Sequence, residues 1–115
     1  MILQLVSKYQ DIIKTYEIIK FHQVEHTHSL VVEFTFRDES TLIARDYVFS
    51  SGLRKYAYHY QDPKNTLIFR YDNTVHWPNI ATFPYHKHTS EGVESSPVMT
   101  LAKVFFEIAG YLDSK

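Results

Sequence analysis

Two alternating runs joined by a tight turn limit this chain more than any other feature in it. In "LRKYAYHYQ" (residues 53–61) Tyr56, Tyr58 and Tyr60 share one parity and Lys55, Ala57 and His59 the other. In "TLIFRYD" (residues 66–72) Leu67, Phe69 and Tyr71 share one parity, Arg70 and Asp72 the other. Side chains of a strand point alternately to its two faces, so each run has one aromatic face and one polar face. "DPKN" between them supplies a proline and two side chains that bond their own backbone, which favours a turn. The stretch therefore predicts an antiparallel hairpin. Pairing Tyr60 with Leu67 sets Tyr58 opposite Phe69 and Tyr56 opposite Tyr71, a face fit for a core. The same register sets Ala57 opposite Arg70 and Lys55 opposite Asp72. Lys55, His59, Arg70 and Asp72 then gather on the polar face.

The remaining elements follow from similar patterns. Ile2, Leu5, Val6, Tyr9, Ile12, Ile13 and Tyr16 recur at helical spacing and predict an amphipathic N-terminal helix, with strand character from about Glu17 through Phe21. Leu30, Val32, Phe34 and Phe36 alternate with Val31, Glu33, Thr35 and Arg37, and "TLIARDYVF" reads as the strand returning after the turn "RDES". Residues 73–99 show no period and predict a long irregular segment, mobile over "TSEGVESSP". Leu101, Val104, Phe105, Ile108 and Leu112 form a second helical stripe, with Thr100 as its N-cap. The order α-β-β-β-β-β-loop-α predicts an α+β fold. It has a single antiparallel sheet of about five strands, with an N-terminal and a C-terminal helix packed on one face. With 115 residues, positions 1–115 make a single domain.

Composition narrows the function. A net charge of −1 excludes gripping nucleic acid by bulk charge, and the absence of cysteine excludes thiolate ligands and cysteine nucleophiles. No apolar run reaches the ~20 residues of a membrane helix, and the N-terminus lacks a signal-peptide pattern. The expected location is the cytoplasm, with no membrane partner.

Chemistry concentrates in one window. Between Arg54 and His88 there are five basic residues, two acidic ones and four of the seven histidines. It ends in "HWPNIATFPYHKH", residues 76–88. His86 and His88 on extended backbone point the same way, and with His76 they could ligate zinc. Equally, histidines titrate near neutrality and could transfer protons, or they could pack the loop and nothing more. Trp77 and Tyr85 could stack on bases or anchor the loop. "HTH" at residues 26–28 lies with His22 on one face if the strand is regular, and reads as a solvated surface.

"LIFRYDNTVHWPNIATFPYHKH" resembles the signature of the TumE-type toxins of type II toxin–antitoxin systems. Arg70, Asp72, Asn73, His76, Pro78, Thr82, Pro84, His86, Lys87 and His88 are the matching positions. Arg54, Tyr56, Tyr58, His59, Gln61 and Asp62 match the family's preceding strand. The likeness is strongest over residues 53–88. Trp77 departs from it, standing where many relatives carry a second histidine. The resemblance implies a small prokaryotic toxin neutralised by a cognate helix-turn-helix antitoxin. By analogy with other small toxins, the target is RNA. On that reading the chain is a metal-independent endoribonuclease without a cofactor. His76, His86 and His88 would move protons, Arg70 and Lys87 would stabilise phosphate charge, and Asp72 would orient a partner. Arg54, Lys55, His59, Trp77 and Tyr85 would bind RNA. A non-catalytic recognition surface and a histidine-ligated metalloenzyme remain alternatives, and homo-oligomerisation stays open.

Overall fold

A computed structural model describes residues 2–115. Its elements are α1 (Ile2–Lys8), β1 (Ile13–Val24), β2 (Thr27–Phe36), β3 (Thr41–Val48), β4 (Arg54–Gln61), β5 (Leu67–Asp72), β6 (His86–Thr89), β7 (Gly92–Ser95) and α2 (Leu101–Asp113). The seven strands form one antiparallel meander in chain order. The α+β class and the two terminal helices are as the sequence predicts.

The strand count is seven rather than about five. β6 and β7 fall inside the stretch that lacks any period, because four residues are too few for alternation to register. Their existence rests on pairing instead: β6 docks on the open edge of β5, with Arg70 opposite His88 and Asp72 opposite His86. Gly92, at φ 130°, closes the β6–β7 hairpin.

The N-terminal helix is also shorter than its periodicity suggests. It stops at Lys8, and the Tyr9 carbonyl accepts the amides of Ile12 and Ile13 to turn the chain. From Ile13 the chain pairs with β2, beginning with Ile13 opposite Phe36. Its β-branched residues suit a strand, and the free edge of β2 decides between two patterns that the spacing allows.

In the hairpin, Tyr60 faces Phe69, Tyr58 faces Tyr71, His59 faces Arg70 and Ala57 faces Asp72. The register is displaced by two residues from simple pairing: Leu67 already pairs with Gln61 rather than Tyr60, and Ile68 is an extra residue between Gln61↔Leu67 and Tyr60↔Phe69. A shift of two preserves parity, so from Phe69 to Asp72 each residue stays on its expected face. Before the bulge, Leu67 pairs with Gln61 of the polar face and Ile68 packs against the core. The turn behaves as its chemistry predicts. Asp62 Oδ1 accepts the amides of Lys64 and Thr66, and Asn65 takes φ 66°.

Both helices cover the tyrosine face. Val104, Phe105, Ile108 and Leu112 of α2 are buried, and the Phe105 ring stands edge-on to Phe34 at 4.8 Å. Thr100 caps α2, accepting the Lys103 amide. The buried tyrosines have polar partners for their hydroxyls. Tyr58 donates to Asp46, Tyr60 meets Ser40, and Tyr56 accepts the Met99 amide. The opposite face of the sheet carries no helix, and there Arg45, Lys55, His59, Arg70 and His88 come up between the strands.

Candidate functional site

The site forms where β5 and β6 meet on the uncovered face. Asp72 stands opposite His86, and Arg70 opposite both His59 and His88. Asp72 is buried rather than exposed as the polar-face pattern implies, because β6 and Thr74 close over it. Its Oδ1 accepts the Thr74 amide and hydroxyl, and its Oδ2 accepts Arg70 Nε at 3.0 Å. Burial pushes this carboxyl up. The Thr74, Arg70 and His86 contacts outweigh it and hold the group below the ordinary carboxylate value.

The two histidines of β6 differ. His86 is 1% exposed, its Nδ1 is 2.9 Å from the Pro84 carbonyl, and its Nε2 is 2.7 Å from Asp72 Oδ1. That last approach lies outside hydrogen-bond geometry, and Nε2 is left without a partner. His88 is partly open to solvent, with Nε2 3.7 Å from Asp72 Oδ2. Burial lowers its pKa, and the nearby His86 and Arg70 add to that against the pull of Asp72. The Trp77 ring lies edge-on to both imidazoles, at 6.4 and 6.1 Å.

His59 sits beside Arg70, whose Nη1 lies 3.3 Å from His59 Nδ1, while His59 Nε2 faces Gln61 Oε1 at 3.2 Å. A guanidinium can only donate, so Nδ1 accepts and Nε2 carries the proton. Both nitrogens are engaged, which makes His59 a support for Arg70. Burial and then the Arg70 charge lower its pKa. Arg45, on the adjoining strand in the row of Ala57 and Asp72, adds a further exposed cation. Sequence reasoning missed it, although its parity against buried Leu42 and Ala44 is legible.

Other sequence-derived candidates lie apart from this cluster. Lys87 projects from the opposite face of β6. There it donates to Glu107 of α2 at 3.2 Å and sits over the Phe69 and Tyr71 rings. Its expected place beside the histidines is corrected by the alternation of the strand itself. Burial lowers its pKa, but Tyr71 and Glu107 prevail and raise it. Arg54, Lys55, His76 and Tyr85 line a separate cleft of about 710 Å³ at the end of β4. Arg54 is held there by both oxygens of Asp46 and by the Met99 carbonyl, a structural engagement. The carboxylate–histidine cluster does not open into this cleft. The dense titratable chemistry marks the cluster as the stronger candidate.

Several motif positions turn out to be architecture. Asn73 extends the hairpin ladder, accepting the Tyr56 amide and donating to the Arg54 carbonyl. Thr82 donates to the Tyr85 carbonyl and accepts the Ser96 amide, tying the loop to the end of β7. Pro84 contributes the carbonyl that orients His86. At the first hairpin, a turn at Glu25–His26 divides the histidines seen in the sequence. His22 pairs with Ser29 and His28 with Gln23, so these two face opposite sides.

A family model described as Toxin TumE matches residues 2–114, well beyond the 53–88 core of the resemblance. The chain belongs to that family. It is the toxin of a toxin–antitoxin system, and the family implies an antitoxin partner. No curated protein and no solved structure matches the chain. Among the described residues, no helix is long and apolar enough to cross a membrane.

Proposed function

We propose that this TumE-family toxin arrests growth by cleaving RNA at the junction of β5 and β6. The observation that carries the reading is Arg70. Its side chain is one-third exposed and its guanidinium is aimed by Asp72 on one side and His59 on the other, with the partly exposed His88 beside it. A cation held in place next to a proton-transfer group meets what phosphodiester cleavage requires. Charge must be neutralised on the phosphate, and a proton must leave the attacking hydroxyl. Arg70 would take the phosphate, and His88 would take the proton of the attacking hydroxyl as the new P–O bond forms. Solvent at this open rim would protonate the departing oxygen as the old one breaks. Asp72 and His59 would position Arg70, and the Thr74 amide and hydroxyl would position Asp72.

Trp77, 38% exposed at the rim, offers a face on which an unpaired base can stack. Arg45 and Lys55 on the same sheet face would attract the backbone on either side. A helix-turn-helix antitoxin is proposed as the partner that silences this surface, and cytoplasmic RNA as the target.

The test uses purified toxin and a structured RNA, resolved on a denaturing gel. The wild type should fragment the RNA, and Arg70→Ala and His88→Ala should leave it intact and relieve growth arrest. His26→Ala and His28→Ala should remain toxic. Growth arrest by a wild type that leaves RNA whole would favour a recognition surface over an enzyme.

A further inference from the structure

We infer that Asp72, His86 and His88 form a binding site for a divalent first-row transition metal. One ligand atom from each residue lies within 4.8 Å of the others. The argument rests on the proton count around His86. The Pro84 carbonyl can only accept, so the His86 Nδ1 facing it at 2.9 Å is the donor. In the neutral ring, Nε2 then presents a lone pair. It faces Asp72 Oδ1 at 2.7 Å, and two lone pairs at that distance repel unless a positive charge lies between or beside them.

A proton is one candidate for that charge, but the approach is outside hydrogen-bond geometry. Nε2 of His86 is the one buried side-chain polar atom left without a partner among the described residues. His88 Nε2, 3.7 Å from Asp72 Oδ2, is likewise too far for a hydrogen bond. Three potential ligand atoms converge with no hydrogen bond among them. A metal ion satisfies all three.

The surroundings have the form expected around metal ligands. His86 is fixed through its other nitrogen by a backbone carbonyl, and Asp72 is fixed by the Thr74 amide and hydroxyl. Two imidazoles and one carboxylate suit zinc, manganese or iron, and leave coordination positions open. Arg70 on Asp72 Oδ2 opposes a second cation nearby, which directs the ion toward Oδ1 and moderates its affinity. His76 lies along the separate cleft and is no part of this set. Joined to the proposed RNA cleavage, on which this extension alone rests, a bound ion would occupy His88 Nε2 and would itself take over activation of the attacking hydroxyl or a water in place of that imidazole.

The experiment is a calorimetric titration of full-length, untagged, chelator-stripped protein with Zn²⁺ and, separately, Mn²⁺. Cobalt absorption spectra would report the ligand geometry. One ion per chain is expected. His86→Ala empties a buried position and could unfold the protein, so the deciding variant is His88→Gln, checked by circular dichroism. It should weaken binding more than about tenfold, since even residues behind the ligands are typically worth that much. His26→Ala and His28→Ala should bind as the wild type does. Failure of the folded wild type to bind either ion, or equal binding by His88→Gln, would overturn the site. RNA cleavage by metal-free protein in EDTA would leave the ribonuclease reading intact without it. Stoichiometric binding with uncut RNA would uphold the site and sink the ribonuclease.

Discussion

His26 and His28 have the same spacing as His86 and His88, and both pairs sit at β-hairpins, yet their surroundings share nothing. His26 is in the β1–β2 turn and exposed, while His28, already in β2, stands edge-on to the Phe21 ring at 6.1 Å. His86 and His88 both belong to β6, point the same way with ring centres 4.9 Å apart, and meet Asp72 on the neighbouring strand. Alternate residues share a face only when one strand holds both. A site further requires that the residue opposite complete the chemistry. The pairing with β5 supplies that residue, and no spacing rule within six residues of sequence contains it.

The sharpest way to break the contrast is Asp72→Ala. It removes the acceptor for Thr74 and Arg70 and the group facing both histidines, so growth arrest should disappear. Stability should fall by about 2–3 kcal/mol, the scale of lost hydrogen bonds to a charged group, read as a lower urea midpoint. Glu25→Gln beside His26 is the counterpart and should change stability by less than about 0.5 kcal/mol. Equal effects would mean that the two histidine pairs are equivalent after all.

Next in size is the loss of one reactive group. His88→Ala should reduce RNA cleavage by roughly 10²–10⁴-fold, the range for a general acid or base, with the urea midpoint little changed. His28→Ala should cleave at the wild-type rate. A His88→Ala protein within a few-fold of wild type would move the proposed chemistry elsewhere, with the cleft holding His76 the first place to examine.

A smaller effect separates the two faces of β6. Lys87→Met removes the ion pair with Glu107 and the cation over the Phe69 and Tyr71 rings, and should cost about 1 kcal/mol or less. Cleavage should persist, because the ammonium is on the helix-covered face. Loss of cleavage in a stable Lys87→Met protein would contradict that division of labour.

The smallest effect is in the acid limb of stability. Burial and Arg70 lower the pKa of His59 in the folded state, so the native protein takes up its proton less readily than the unfolded chain. The resulting stability is fully present above the ordinary histidine value of about 6.5. It declines as pH falls through that value toward the lower folded one. Urea midpoints measured from pH 8 to 5 should fall, and His59→Gln should flatten part of that fall. A slope unchanged by the substitution would mean that the His59–Arg70 contact does not perturb this group.

The sequence by itself determined the faces. Parity placed Tyr56, Tyr58, Tyr60, Phe69 and Tyr71 in the core and survived a misplaced register, because beyond the bulge at Ile68 the shift is two residues and returns side chains to their own side. It also determined α2, whose stripe and Thr100 cap are local, and it marked residues 53–88 as the part that resembles a toxin family. Only the tertiary structure decided which neighbours those faces acquire. The end of α1, the strand nature of residues 86–95, the burial of Asp72 and the diversion of Lys87 to Glu107 depend on pairing between segments. Local propensity is blind to that, since a four-residue strand exists only when an adjacent edge offers its amides and carbonyls. The candidate site is made at such an edge, where β6 brings its histidines against a carboxylate that the sequence leaves apparently exposed.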